Sequence, residues 1–284
     1  MRILEDQKDQ IILNAAKMKI TTLIENYVSE EGLFAEHGLS FYIETGKQKI
    51  LFDTGQTGLF IQNAHKLGIN INEVDSLVLS HGHYDHTGGL NSFLENNSKA
   101  KVYAKQDIFI PKYHGKIRFV GTKYNEKLLK NRMVYVDAIT EIDENVFIMP
   151  EITIHNSIDT NFKGFSKKVG NEFFSDEFDD ELFLVIKSHD KINIITACSH
   201  RGITNICNTA TKHFKLPVGL ILGGFHMTDC NVEQHVDITY YFRMLKPESI
   251  GVCHCTGLEK FADLFHGCEA HLFYNHTGNK ITLN

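Results

Sequence analysis

The residues best suited to chemistry lie in one short segment, residues 80–89, which places three histidines and one aspartate within six positions. They are His81, His83, Asp85 and His86. Neutral imidazole and carboxylate groups are natural ligands of divalent cations. Without a cation, so many of these groups in one loop would compete for the same hydrogen bonds. The spacing therefore predicts a metal centre.

The order of these residues also suggests how they divide between ions. His81 and His83 are separated by one residue, so extended backbone directs both side chains to the same side. They are expected to bind one ion together. The chain is expected to turn after them, so Asp85 and His86 point elsewhere and can bind a second ion nearby. The pair Gly88-Gly89 permits a tight start of the next helix.

The segments that must position this loop alternate between strand-like and helical patterns in both halves of the chain. Strands are predicted over 20–27, 39–44, 49–52, 75–79, 102–104, 134–136, 146–149, 152–154, 182–186, 192–197, 218–222, 250–253 and 272–274. Helices are predicted over 58–67, 89–94, 203–214, 232–245 and 258–265. Locally paired strands that alternate with helices indicate an α/β fold class, with two β-rich layers covered by helices, an αβ/βα sandwich.

Two segments do not fit this alternation, residues 111–132 and 161–181. Both are long for loops within a compact domain, and such segments are often lids or binding segments; a solvated surface insertion is the alternative. Cations in the first segment either receive an anionic group such as a phosphate or form a solvated face. These cations are Lys112, Lys116, Arg118 and Lys123.

The composition excludes several classes of protein. The net charge of −6 indicates no nucleic-acid partner. No apolar run approaches the roughly 20 residues of a membrane span, and the N-terminus lacks the apolar core of a signal peptide. The protein is therefore expected to be cytoplasmic, with no membrane association and with its six cysteines as reduced thiols.

Two motifs resemble those of a known family. Residues 81–86, HGHYDH, match the H-x-H-x-D-H signature of the metallo-β-lactamase superfamily, and residues 51–55, LFDTG, are similar to its first motif, an aspartate that supports the metal loop. The resemblance covers about residues 19–284 and leaves residues 1–18 as an N-terminal extension. It implies a four-layer αββα sandwich with the metals at one edge between the sheets.

Four shorter segments resemble one branch of that superfamily. They are TTLIEN at 21–26, AEHGLS at 35–40, CSHRG at 198–202 and HCTG at 254–257. The branch contains metal-dependent hydrolases (β-lactamase superfamily II) and enzymes similar to a dihydropterin–ribofuranosylaminobenzene phosphate synthase. The resemblance places Glu36 and His37 near the pocket, with a helix cap or turn as the alternative.

The resemblance also implies that His200 and His254, each at the end of a predicted strand, complete the set of ligands. The expected metal ligands are His81, His83, Asp85, His86, His200 and His254. His226 follows another strand end and is interpreted as a catalytic or phosphate-binding residue, with a core histidine as the alternative.

The cysteines near these ligands are a departure from the family pattern. Where a metal-bridging aspartate is usual, the chain has Cys198, which we interpret as a buried core cysteine rather than a thiolate ligand. Strand alternation predicts that the thiols of Cys253 and Cys255 lie on the face opposite His254.

Together these features favour a metal-dependent hydrolase with Asp85 and His226 as catalytic residues. Metal-activated water would attack an ester or phosphoester-like bond of a small anionic substrate. Two ions are expected, with zinc as the first choice and manganese, iron or magnesium as alternatives. A synthase or transferase that joins a pterin-like and a phosphorylated riboside substrate stays open, as does a non-catalytic metal-binding sensor. The sequence does not predict the oligomeric state.

Overall fold

The fold is described from a computed structural model over residues 18–283. The predicted extension over residues 1–18 lies outside these residues except for Met18, which begins the first strand. The strands are β1 Met18–Ile24, β2 Ser40–Glu44, β3 Lys49–Phe52, β4 Ser76–Val78, β5 Lys101–Ala104, β6 Lys112–His114, β7 Arg118–Phe119, β8 Met133–Tyr135, β9 Thr140–Asp143, β10 Val146–Met149, β11 Phe165–Val169, β12 Glu172–Ser175, β13 Phe183–Ser188, β14 Lys191–Ile195, β15 Val218–Gly223, β16 Ser249–Val252, β17 His271–Tyr274 and β18 Lys280–Leu283.

Helices connect many of these strands. They are α1 Leu59–Lys66, α2 Tyr84–Thr87, α3 Leu90–Asn96, α4 Glu126–Leu129, α5 Ile203–Phe214, α6 Val232–Leu245 and α7 Leu258–Gly267. Short 3-10 helices cover Ile71–Glu73, Gln106–Phe109 and His254–Thr256. Between residues 18 and 283, no helix has both the length and the apolar character that crossing a membrane requires.

Two seven-stranded sheets face each other at the centre of the fold. Their orders are β18-β1-β2-β3-β4-β5-β8 and β17-β16-β15-β14-β13-β10-β9. Apolar side chains of both sheets share one buried cluster, which includes Phe41 and Phe52 of the first sheet and Leu184 and Leu222 of the second. Removal of this inner layer from water is a main source of stability.

Helices cover the outer face of each sheet. Phe60 of α1 and Phe93 of α3 are buried against the first sheet. Ile206 of α5, Phe242 of α6 and Leu264 of α7 are buried against the second. The predicted four-layer αββα sandwich is therefore confirmed.

Parallel strands bring the chemically important loops to one edge of the sandwich. Strand β4 is parallel to β3, and β14, β15 and β16 are mutually parallel. Residues 80–89 follow β4, and His200, His226 and His254 follow β14, β15 and β16. Since parallel strands end at the same edge of a sheet, these loops converge.

One predicted strand was wrong: residues 152–154 do not form a strand. Ile152 is buried in the core beneath the helices of the second sheet. The nearby backbone N–H groups of Thr153 and His155 donate to side chains of α5, Thr209 and Asn205, instead of to a neighbouring strand. The apolar residues therefore anchor a loop.

The two segments that did not fit the alternation pair with each other. Strands β6 and β7 come from the first and β11 and β12 from the second, and they form a small sheet of order β12-β11-β6-β7. The contact between the segments is antiparallel, with Phe165 opposite His114 and Lys167 opposite Lys112. This small sheet lies over residues 80–89, since Phe165 of β11 packs on the ring of His83.

Candidate metal centre

Three histidines form the first candidate metal position. The side chains of His81, His83 and His200 bring their ligand atoms within 4.8 Å of one another. The Nε2 atom of each is buried without a hydrogen-bond partner among the described residues. A buried polar atom left without a partner costs roughly 1–3 kcal/mol. Three such atoms that converge are the expected arrangement where a cation accepts their lone pairs.

Hydrogen bonds at the other ring nitrogens set the tautomers of this position. The hydroxyl of Ser80 donates to Asp53 Oδ2 over 2.6 Å. Its proton is thus engaged, and His81 Nδ1 must donate to Ser80 Oγ over 2.9 Å. His200 Nδ1 donates to the carbonyl oxygen of Asn161 over 3.3 Å. Both rings therefore direct an unprotonated Nε2 at the cluster.

A second candidate position lies beside the first. The Oδ2 atom of Asp85 is 3.7 Å from His86 Nε2 and 3.3 Å from His254 Nε2. These two Nε2 atoms are 3.2 Å apart. His86 Nδ1 donates to Asp53 Oδ2 and His254 Nδ1 donates to Asn26 Oδ1. Two ring lone pairs therefore face each other, and a proton or cation is needed between them.

The electrostatics of the two positions differ. Burial lowers the pKa of all three histidines of the first position well below the usual value, so they stay neutral. Burial opposes protonation of His86 as well, but the carboxylates of Asp85 and Asp53 raise its pKa to about 9. Burial would raise the pKa of Asp85, but His86 and His254 hold it well below its usual range. The second position thus favours positive charge.

Three non-glycine residues around the candidate metal positions have a left-handed backbone conformation. Asp53, Ser199 and His254 have φ values of 60°, 59° and 53°. Each comes shortly after a strand, where the chain must turn sharply to direct the side chains at the centre. Non-glycine residues at positive φ cost of order 1 kcal/mol or more and are concentrated at functional sites.

Buried carboxylates hold the ligand loops through their backbone. Glu181 accepts the N–H groups of His200 and Arg201, each over 2.7 Å. Glu25 accepts the N–H of His254 over 2.5 Å. Sequence reasoning did not single out Glu181, the last residue of segment 161–181. Glu25 could have been identified, because it lies in the TTLIEN segment that resembles a family motif.

The cysteines differ from expectation. Cys198 is buried, as predicted, but its Sγ atom lies 3.1 Å from His86 Nε2. Cys253 is buried in the apolar cluster between the two sheets. The prediction was wrong for Cys255, whose thiol lies with Cys198 and His254 in one group of ligand atoms within 4.8 Å. The strand ends before His254 and a 3-10 turn begins there, so the two-residue alternation does not extend to Cys255.

The predicted pocket residues lie at the edge of the centre. The ring of His226 is 4.3 Å from that of His200 between centroids, and its Nδ1 is buried without a partner among the described residues. His37 is half-exposed, with Nε2 3.2 Å from Asp85 Oδ2. Glu36 stabilises a turn, which was the alternative to a pocket role. Its carboxylate accepts the backbone N–H groups of Gln56 and Thr57.

Lys112 is not available to bind an anionic group of a substrate. It is buried and bonded to Asp176 and Asp180, with Nζ–O distances of 2.6 and 2.8 Å. Its charge is therefore already neutralised inside the protein. The other candidate cations are exposed: Lys116, Arg118 and Lys123.

The small sheet and the segment after it close over the first position. The ring of Phe165 lies 5.1 Å from that of His83 and 5.3 Å from that of His200 between centroids. Phe178 stacks on His200 at 3.7 Å. These aromatic residues shield the ring nitrogens from water. They were not singled out from the sequence, because nothing local indicates that segment 161–181 folds onto the histidines.

Known proteins of similar sequence and structure point to one family. The chain is 30% identical to an uncharacterized protein of Methanocaldococcus jannaschii, over 92% of this chain and 99% of that protein. It is also 30% identical, over 88% of this chain and 92% of the relative, to the 7,8-dihydropterin-6-methyl-4-(beta-D-ribofuranosyl)-aminobenzene-5'-phosphate synthase of the same organism.

Among solved structures, Tm1679, a metal-dependent hydrolase of the beta-lactamase superfamily, is similar with a TM-score of 0.84 and 32% identity. The similarity covers 94% of this chain and 99% of that structure. Residues 34–189 match the sequence model of the metallo-beta-lactamase superfamily, and this range contains the histidine-rich loop of the metal centre. The αββα sandwich, the converging histidines and these similarities agree: the chain belongs to the metallo-β-lactamase superfamily.

Proposed function

We propose that this protein is a divalent-metal-dependent hydrolase that cleaves an ester or phosphoester-like bond in a small anionic substrate. The observation that carries the proposal is the convergence of three buried, unpartnered Nε2 atoms, those of His81, His83 and His200. Family membership and the similarity to a metal-dependent hydrolase support it.

In this proposal His81, His83 and His200 bind one ion, and Asp85, His86 and His254 bind a second. Zinc is the metal we propose, because clusters dominated by imidazole suit it. Divalent ions held in this way supply Lewis acidity, which polarises a carbonyl or phosphoryl oxygen and makes water a nucleophile at neutral pH.

The residues of the chain then orient the reactants. The carboxylate of Asp85 accepts a hydrogen bond from the attacking water at its edge of the centre. His226 lies beside the first position, and its ring, when protonated, would donate a proton to the leaving group and return to the neutral form. Phe165 and Phe178 exclude bulk water, which strengthens the electrostatic interactions inside.

A second candidate is a synthase or transferase that joins a pterin-like and a phosphorylated riboside substrate. Its support is the 30% identity to the synthase of Methanocaldococcus jannaschii. Two partly exposed aromatic side chains near the centre, Phe162 and Phe165, offer surfaces on which a heterocycle can stack.

The first experiment combines metal analysis with turnover. Plasma mass spectrometry of the purified protein should find about two transition-metal equivalents, as proposed, and fewer in His81→Ala and His200→Ala. Glu177→Ala, an exposed residue, is the control and should keep full metal content. The loaded protein should then hydrolyse members of a panel of phosphomonoesters, phosphodiesters and lactones.

The other outcomes separate the alternatives. Condensation of a dihydropterin with an aminobenzene riboside phosphate, without hydrolysis of any panel member, would establish the synthase. Full metal content without turnover in either assay would contradict both enzymes and favour a metal-binding sensor.

A further inference from the structure

We propose that Cys198 is a fourth ligand of the second metal position, and that its sulfur makes this position select Zn²⁺, Co²⁺ or Cd²⁺ over Mg²⁺ and Mn²⁺. The inference rests on the proposed metal-dependent function and adds a residue and a metal preference to it.

Cys198, His86, His254 and Asp85 bring their donor atoms close to one another. The Sγ atom of Cys198 is 3.1 Å from His86 Nε2, which is 3.2 Å from His254 Nε2. Asp85 Oδ2 lies 3.3 and 3.7 Å from the same two nitrogens. A tetrahedral ion with bonds of about 2.0–2.3 Å separates its ligands by about 3.3–3.7 Å. Cys198 and His254 also belong to one group of ligand atoms within 4.8 Å of one another. His86 and His254 therefore lie close to both the thiol and the carboxylate, as expected of ligands that share one ion.

The backbone directs this sulfur at the centre. Cys198 follows β14, and the next residue, Ser199, turns the chain with a φ of 59°. The loop is held because Gly224 donates its N–H to the carbonyl of Ala197 over 2.8 Å. A Cβ atom at Gly224 would lie only 2.6 Å from that carbonyl oxygen and 2.7 Å from Cys255 Sγ. Gly224 thus permits the loops that carry the two thiols to approach each other.

The second thiol, that of Cys255, lies nearby but is already engaged in two hydrogen bonds. Cys255 Sγ accepts the backbone N–H of His226 over 3.3 Å and donates to the carbonyl of Cys198 at 3.6 Å. Cys198 Sγ has its short contact with His86 Nε2, a ring nitrogen whose lone pair points at the second position. We therefore assign the ligand role to Cys198 and a supporting role to Cys255.

The presence of sulfur has a consequence for metal choice. Thiolate is a soft ligand that favours zinc and other thiophilic ions, whereas magnesium and manganese prefer oxygen ligands. A site of one sulfur, two nitrogens and one carboxylate oxygen therefore discriminates against magnesium and manganese.

Cobalt substitution tests the assignment, because thiolate bound to Co²⁺ gives a sulfur-to-cobalt charge-transfer band in the near ultraviolet. The protein is freed of metal with a chelator and titrated with Co²⁺. We expect the band to grow with the second equivalent in the wild type. Cys198→Ser should lose the band and bind the second equivalent about tenfold more weakly or worse. Cys207→Ser, a buried cysteine of α5, should keep both.

A second variant tests the metal preference and guards against misfolding. Cys198→Asp replaces sulfur with oxygen and should bind Mn²⁺ more tightly than the wild type does, again without the band. Two bound Co²⁺ equivalents without a band in the wild type would overturn the inference and leave the metal centre intact. A band that is lost in Cys255→Ser but kept in Cys198→Ser would also overturn it. A wild type that binds no Co²⁺ would refute the proposed function and the inference together.

Discussion

Lys112 and Asp180 form an ion pair in which both side chains are buried, with Nζ 2.8 Å from Oδ1. The other oxygen of Asp180 accepts the backbone N–H of Gly82 over 2.7 Å. Gly82 lies between two of the candidate metal ligands. The pair therefore connects the small sheet to the metal-binding loop.

Lys112→Met should lower the free energy of unfolding by about 3–5 kcal/mol, because it leaves Asp176 and Asp180 buried without their cation. Urea unfolding measured with intrinsic tyrosine fluorescence gives the value. Lys116→Met, at an exposed position, should change stability by less than about 0.5 kcal/mol. Equal, small effects of the two substitutions would mean that the buried pair contributes little.

Glu181→Ala should weaken metal binding at the first position by about 10- to 100-fold, since the carboxylate holds the backbone of His200. Competition with a chromogenic chelator measures the affinity. The exposed neighbour Glu177 provides the control, and its alanine variant should bind metal as the wild type does. Unchanged affinity in Glu181→Ala would show that the loop keeps its conformation without this carboxylate.

Phe165→Ala should speed the loss of metal to a chelator, because its ring covers His83 and His200. Stopped-flow mixing of loaded protein with excess chelator gives the rate. Phe174→Ala removes an exposed ring of the same small sheet and should leave the rate unchanged. If both variants release metal as slowly as the wild type, the small sheet is not the barrier to access.

Asp159→Asn should change how stability depends on pH. Burial raises the pKa of Asp159 from 3.8 to about 7. Between these values the folded protein binds more protons than the unfolded chain, so the wild-type free energy of unfolding falls as pH rises. The asparagine variant lacks this titration. The wild-type stability relative to the variant should therefore decline by up to about 4 kcal/mol between pH 4 and 7.

Chelator-treated protein is used for this comparison, so that metal binding does not contribute to the pH dependence. Denaturant unfolding at intervals between pH 4 and 8 gives both stabilities. A difference that stays constant over this range would show that Asp159 is ionised in the folded protein throughout it.

Local patterns were sufficient for most of the fold. The helices over Ile203–Phe214 and Val232–Leu245 have the predicted bounds, since their apolar residues recur at helical spacing. The histidine-rich loop was equally recognisable, because its ligand types are close together in sequence. The ligand role of His200 and His254 was expected from the family resemblance, because each follows a predicted strand.

Only the tertiary structure decided which groups meet across long separations in sequence. Segments 111–132 and 161–181 form one sheet because each supplies the hydrogen-bonding partner that the other lacks locally. The orientation of Cys198 and Cys255 depends on left-handed turns at Ser199 and His254, which strand alternation cannot predict. The sequence thus determined the fold class and the types of the candidate metal ligands. Tertiary packing determined the small sheet over the histidines, the supporting carboxylates and the direction of the thiols.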